Sequence, residues 1–425
     1  MAAPGGAGAG DDDRRTPGAP AVGPAPRGPL AVADFRALFS AEILSTAGDQ
    51  VARVALTVLV LDRTGSVAWS AGIYALTFLP ALLGGLLLGH LADRVPRRRL
   101  LVLTDLARAA LVAVMATPGL DLTVLAALLV VVVLLGGPHS AARSALLPDL
   151  LPGVLLARGL ALRQVSVQVA QVAGFGGGGL LVATLSASGA LLVDATTFLL
   201  SAVVVAAGLR DRHAVDPAAG GNGAWWRSTL SGLPVVFGHR RRRALVLVAC
   251  LVGIFVLPEA LAAAHADALG AGAAATGVLM AADPAGSAVG ALLAAYLLPE
   301  RLRERAIAPL ATAAALALAL TPFTTGVGQA VAAWVLSGAC ATACLVQAQA
   351  GFARATPSAV RGSATGVAVA GLVASQGVAV LAGGLLAERT DPATALGIVG
   401  AVGVVLALAT VPLLGRSVSV TGAPG

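Results

Sequence analysis

Gly89-His90-Leu91-Ala92-Asp93-Arg94-Val95-Pro96-Arg97-Arg98-Arg99 joins two long apolar runs, 71–91 and 99–118. Four arginines and one aspartate crowd into this short stretch, while the segments it joins are mostly Leu, Ala and Val. That alternation is the mark of a charged loop at a membrane surface between two buried helices. A spanning helix needs about 20 mostly apolar residues. Outward from the loop, twelve such runs are found: 36–61, 71–91, 99–118, 122–143, 159–184, 188–209, 244–266, 272–297, 305–324, 327–351, 360–386 and 393–415. Turn chemistry marks several boundaries, at Pro118-Gly119, Pro148-Asp149, Pro152-Gly153 and Asp391-Pro392. Composition agrees. The 425-residue chain is 57% hydrophobic and 12% charged, with a mean hydropathy of +0.89. A soluble domain carries about 25% charged residues, because it needs a solvated surface. The expected fold is therefore an all-α integral membrane protein of twelve transmembrane helices.

Every basic residue is Arg, which with the Ala, Gly and Pro excess points to a bacterium with a GC-rich genome. The sequence pI near 10.7 is not the footprint of a nucleic-acid binder, since the arginines sit between apolar runs and form no basic face. Their placement gives an orientation. With both termini in the cytoplasm, 24 of the 28 arginines are cytoplasmic, and only Arg63 and Arg389 are outside. Residues 1–34 are rich in Pro, Gly and Ala, lack the apolar core of a signal peptide, and read as a cytoplasmic tail. Residues 416–425 read the same way. Cys250, Cys340 and Cys344 lie in apolar runs without metal-ligand or disulfide spacing. No Gly-x-x-x-x-Gly-Lys-Ser/Thr loop, zinc-protease motif or Ser-His-Asp arrangement occurs. No enzyme activity, cofactor, metal or ATP motor is expected.

One connection is long, 210–243, and it divides the runs six and six, into 35–209 and 244–415. The parts repeat. Pro80 and Arg97 match Pro284 and Arg301, and Gln171 with Gly178-Gly179-Leu180-Leu181 matches Gln376 with Gly383-Gly384-Leu385-Leu386. Duplicated halves are how many secondary carriers are built, with a site between them near the midplane.

The Gly89–Arg99 loop resembles the signature of the major facilitator superfamily, Gly-x-x-x-Asp-Arg/Lys-x-Gly-x-Arg/Lys-Arg/Lys, with Pro96 in place of the second Gly. Other stretches resemble the superfamily's twelve-span drug:proton antiporters, in particular macrolide-efflux and enterobactin-exporter carriers. They are Ser45 to Gln50, Asp105 to Arg108, Ala142 to Asp149 and Asp194 to Phe198. The resemblance covers about 35–415. It implies two pseudo-symmetric six-helix bundles and a cytoplasmic gate of Gly89, Asp93, Arg94, Arg97 and Arg98, supported by Asp105 and Arg108. Arg143 is the implied partner of Asp93. The antiporter pattern Gly-Pro-x-x-Gly-Gly is altered, because Phe175 stands where the Pro would be. Close packing should survive, but the kink ascribed to that Pro should not.

Charges inside spans are costly and so are functional candidates. Glu42, Asp49 and Arg53 share one helical face. Asp49 is expected near the midplane, with Arg53 as its partner and a proton or cationic substrate able to break the pair. Asp105 and Arg108 are expected to pair with each other, and Asp194 to play a structural part at the rim. Glu259 is expected to line the cavity, and Asp283 is a further candidate for proton coupling. His139 and His265 are expected to be solvated or capping. Gln168 and Gln171 continue a polar stripe from Gln164 that either lines the path or joins two helices. Trp225, Trp226 and Phe237 suggest an amphipathic stretch on the inner membrane face.

These residues point to a monomeric transporter in the cell membrane. It would export small hydrophobic molecules, drugs or secondary metabolites, in exchange for protons by alternating access. An importer or uniporter, or a sensor or scaffold on a carrier fold, is the alternative.

Overall fold

The computed structural model describes residues 28–210, 224–296 and 299–414. Among the described residues nine helices are long and apolar enough to cross a membrane. One of them, Val154–Gly208, is two spans in one, broken where Ser186 takes φ 67° and ψ 170°. Arg97–Met115 and Ile307–Phe323 are shorter or carry more charge. Together they make twelve spans. In order these are Ala33–Thr64, Val67–Leu88, Arg97–Met115, Leu122–Leu150, 154–185, 187–208, Arg240–Ala268, Ala273–Tyr296, Ile307–Phe323, Val327–Ala355, Arg361–Arg389 and Pro392–Leu414. No strand occurs among the described residues. Only intrahelical pairing satisfies the backbone polar groups of such segments in lipid.

The ends obey the expected chemistry. Gly119 and Gly153 take φ +78° and +62° at the expected turns. Asp121 caps the fourth span, accepting from the Thr123 N–H at 2.8 Å, and these backbone bonds hold its carboxyl below the usual range. The Pro148-Asp149 boundary is a correction, since the fourth helix runs on through both residues to Leu150. Prolines act inside spans as well. Pro80 and Pro258 cannot donate to the carbonyls of Leu76 and Ile254. The second span loosens at 76–78, and the seventh narrows to a 3₁₀ turn at Ile254–Val256. Around Phe175 the fifth span keeps helical backbone. The only non-helical backbone within Val154–Gly208 is at Ser186.

Large apolar side chains such as Leu103, Leu180, Val203 and Val405 point outward, as lipid-facing residues do. Small residues hold the helices together. The fifth span packs on the first through Gly178, and on the eighth through Gly179. A Cβ at Gly179 would sit 2.7 Å from the Cα of Gly277. The eleventh span repeats this. Gly383 packs on Leu257 of the seventh span, and Gly384 faces Ala71 of the second, where a Cβ would sit 2.5 Å from that of Ala71. The repeated Gly-Gly pair thus does the same work twice: one glycine packs within its own half and the next packs across the seam between halves. The helix Ala224–Phe237 lies against the start of the eleventh span, with Gly232 close to Ser363. The side chains of Trp225 and Trp226 lie outside the described residues.

Candidate functional site

A cavity of about 470 Å³ opens among the first, second, third, fourth and sixth spans. Leu56, Val112, Met115, Leu129 and Val132 make it apolar, and Gly136 and Gly137 leave it room. Its charged wall is Asp49, Arg53, Arg108 and Asp194. They come from the first, third and sixth spans, and the packing of these three helices brings them together.

Asp49 is joined to Arg108, whose Nη2 donates to its Oδ1 at 2.8 Å, and not to Arg53. The Arg108 guanidinium is held over the Phe198 ring, 4.1 Å from its centroid. Gly48 allows the sixth span to come this close. A Cβ there would meet Asp194 Oδ1 at 2.3 Å. Asp194 is buried, accepts from the Thr197 hydroxyl at 3.3 Å, and feels the charges of both Asp49 and Arg108. It stands in the wall of the cavity, where the sequence suggested a place at the rim.

Asp105 does not pair with Arg108. It accepts from Ser201 at 2.6 Å and lies 3.2 Å from His139 Nδ1, which Thr104 also approaches at 3.2 Å. His139 is therefore buried among polar partners, neither solvated nor a cap. Further toward the arginine-rich loops, Glu42 is buried between two arginines. Arg163 Nε reaches both its oxygens at 2.8 and 2.7 Å, and Arg143 Nη1 is 3.3 Å away. Spacing along one helix could not reveal these partners, because they come from the fourth and fifth spans.

Arg53 turns to the second span. Its guanidinium lies 5.5 Å from the centroid of Tyr74, and the Tyr74 hydroxyl donates to Glu259 of the seventh span. Glu259 is buried, and its charge is felt by Arg53 and by Asp283 of the eighth span. Asp283 packs on Gly338, where a Cβ would meet its Oδ1 at 2.6 Å. Tyr74 was not foreseen. Its signal was a lone tyrosine in an apolar span. A second bond crosses the seam where Ala68 N–H donates to Glu388 at 2.9 Å. His265 is buried beside Trp334, with ring centroids 5.6 Å apart, and is not solvated.

At the opposite end, Gly89 leads into the short helix Leu91–Arg94. The Asp93 side chain lies outside the described residues. Arg97 pairs with Asp149 at 2.7 Å and donates to the Ala145 carbonyl at 3.1 Å, while Arg98 donates to the Ala206 carbonyl. Pro96 has φ −49°, so this turn needs no glycine. Gln168 and Gln171 are half-buried and do not line the cavity. Among the described residues no cluster of three or more His, Cys, Asp or Glu could hold a metal ion.

The model of the Major Facilitator Superfamily matches residues 38–259, just over half of the chain. The "Multidrug efflux pump Tap" of Mycobacterium tuberculosis (strain ATCC 25618 / H37Rv) is 31% identical over 190 residues, covering 43% of this chain and 44% of that protein. Its namesake in Mycobacterium bovis (strain BCG / Pasteur 1173P2) matches equally. The chain therefore spans less than half the length of these relatives in alignment. Among solved structures, the nucleoside transporter NupG has a TM-score of 0.71 at 16% identity, covering 89% of this chain and 99% of that one. A POT family transporter in complex with 5-aminolevulinic acid has a TM-score of 0.68 at 12% identity, covering 90% and 96%. At such identities these likenesses establish the fold: two six-helix bundles in a membrane. With the family match over its first half, the chain belongs to the major facilitator superfamily.

Proposed function

We propose that this transporter exports small hydrophobic molecules, drugs or secondary metabolites, by proton antiport. The carrying observation is the cavity: about 470 Å³, mostly apolar, with Asp49 and three further charged side chains on one wall. Such a lining selects loosely by shape and hydrophobicity, where sugar recognition would need many fixed polar groups. Charged groups in a membrane wall are kept for a task. Likeness to a protein named as a multidrug efflux pump supports the same direction.

The halves, 35–209 and 244–415, would rock against each other, joined by the cytoplasmic loop 210–243 and flanked by the cytoplasmic tails 1–34 and 416–425. This cavity is lined by the first half and does not lie, as the sequence suggested, between the two. With the arginine-rich loops in the cytoplasm, the contacts at Gly179, Gly384, Glu259 and Glu388 close the outer end. That corresponds to a carrier open inward. When it opens outward, Asp93, Arg94, Arg97 and Arg143 would latch the cytoplasmic end. The protein would work as a monomer, with the bilayer, protons and a small molecule as its partners.

The test is ethidium transport by the purified protein in liposomes. An imposed pH gradient should drive it, and Asp49→Asn should abolish the drive. Equal ethidium movement with and without a gradient would refute antiport.

A further inference from the structure

We infer that Asp194 is the carboxylate that gives up a proton when a monocationic amphiphile enters the cavity, while Asp49 stays bound to Arg108. This rests on the reading of the cavity as the substrate site.

The argument is a charge count over every element that faces Asp194. The first span presents Asp49 and Arg53, the third Asp105 and Arg108, and the fourth His139 and Arg143. Arg53 is matched by Glu259 through Tyr74. Asp49 is matched by Arg108 at 2.8 Å. Glu42 takes both Arg143 and Arg163, leaving one positive charge, and Asp105 feels that of Arg143. His139 is neutral in this count. Asp194 is left over. Its hydrogen-bond donor is the Thr197 hydroxyl, which brings no charge.

A buried wall in a membrane is stable when its charges cancel, because an uncompensated ion costs several kcal/mol. The empty cavity therefore keeps a proton on Asp194. A cation in the cavity replaces that proton. The carboxyl O–H breaks, the proton leaves to the cavity water, and the carboxylate faces the cation, so the wall stays neutral throughout. Among the described residues Asp283 is another buried carboxylate with no ion pair, but it packs against Gly338 and does not line this cavity. Gly48 serves the arrangement, since any side chain there would push Asp194 off the wall.

The experiment measures proton release with a pH indicator when tetraphenylphosphonium binds to the full-length protein in weakly buffered detergent. The unaltered protein should release about one proton per cation bound. In Asp194→Asn, cation affinity should fall more than about tenfold and lose its pH dependence, while neutral chloramphenicol still binds. Cation binding without proton release by the unaltered protein would overturn the inference and leave the cavity reading standing. So would proton release that persists in Asp194→Asn. Failure of the unaltered protein to bind either probe would overturn the cavity reading itself.

Discussion

Replacing Glu42 by Gln keeps its shape and removes its charge, leaving Arg143 and Arg163 facing each other across a buried site. Glu42 is 4% exposed, Arg143 14% and Arg163 27%. At the 3.3 Å separation of Arg143 and Glu42, an effective dielectric of about 20 gives an attraction of about 5 kcal/mol. Desolvation of both groups offsets part of this. Removing one member of a buried pair costs about 3–5 kcal/mol, because the other is left charged and unmatched. Arg163 can regain water, so most of the loss falls on Arg143, and about 3 kcal/mol is expected. For a unit the size of one half, about 2–4 °C of midpoint shift per kcal/mol applies, giving a drop of roughly 6–12 °C. Thermal unfolding in detergent, followed by tryptophan fluorescence, measures it. The double variant Glu42→Gln/Arg143→Gln should recover part of the loss, since it removes the stranded charge. A drop under about 2 °C, or a double variant as unstable as the sum of the singles, would refute the reasoning.

Four further outcomes are expected. Gly179→Leu and Gly384→Leu should each wedge the seam between halves, so that a cysteine at the buried Ala71 becomes reactive to an impermeant maleimide where the parent cysteine is shielded. Tyr74→Phe removes the donor to Glu259, a bond to a charged group worth about 1.5–3 kcal/mol. The pH profile of transport should move while the protein stays folded. Arg97→Ala removes a partly exposed pair with Asp149 and should cost at most about 1 kcal/mol, within a few degrees in the same melting assay. Asp391 is held below the usual carboxylate range by Thr394, through its side chain and its N–H at 2.9 Å. Its small contribution to stability is present above the unfolded carboxyl value, about pH 4, and is lost as pH falls through the lower folded value. Asp391→Asn should flatten that acid limb of a melting-against-pH curve.

The spans were legible because lipid imposes length and apolarity on each one independently. All twelve runs correspond to helices, with edges shifted by a few residues. The repeat was legible too, since Gly178-Gly179 and Gly383-Gly384 must each serve two close contacts. Pairing was not. Spacing along the first span put Arg53 beside Asp49, and spacing along the third put Arg108 beside Asp105. In the fold Asp49 takes Arg108 from across the bundle. Helical periodicity tells which side chains share a face, but packing of different helices decides which charges meet. Asp194 was misplaced for the same reason. The one local clue was Gly48 directly before Asp49, a bare patch of backbone next to a buried charge.

The seam between the halves has an uneven grain. Around Gly179 and Gly384 it is bare backbone and small side chains. Among the described residues two polar stitches, from Tyr74 and from Ala68, cross it and both end on glutamates. Parting the seam breaks those two hydrogen bonds and otherwise separates small, smooth surfaces. The halves can therefore come apart and rejoin there at small cost, as two polished faces held by two clasps, independently of what the cavity carries.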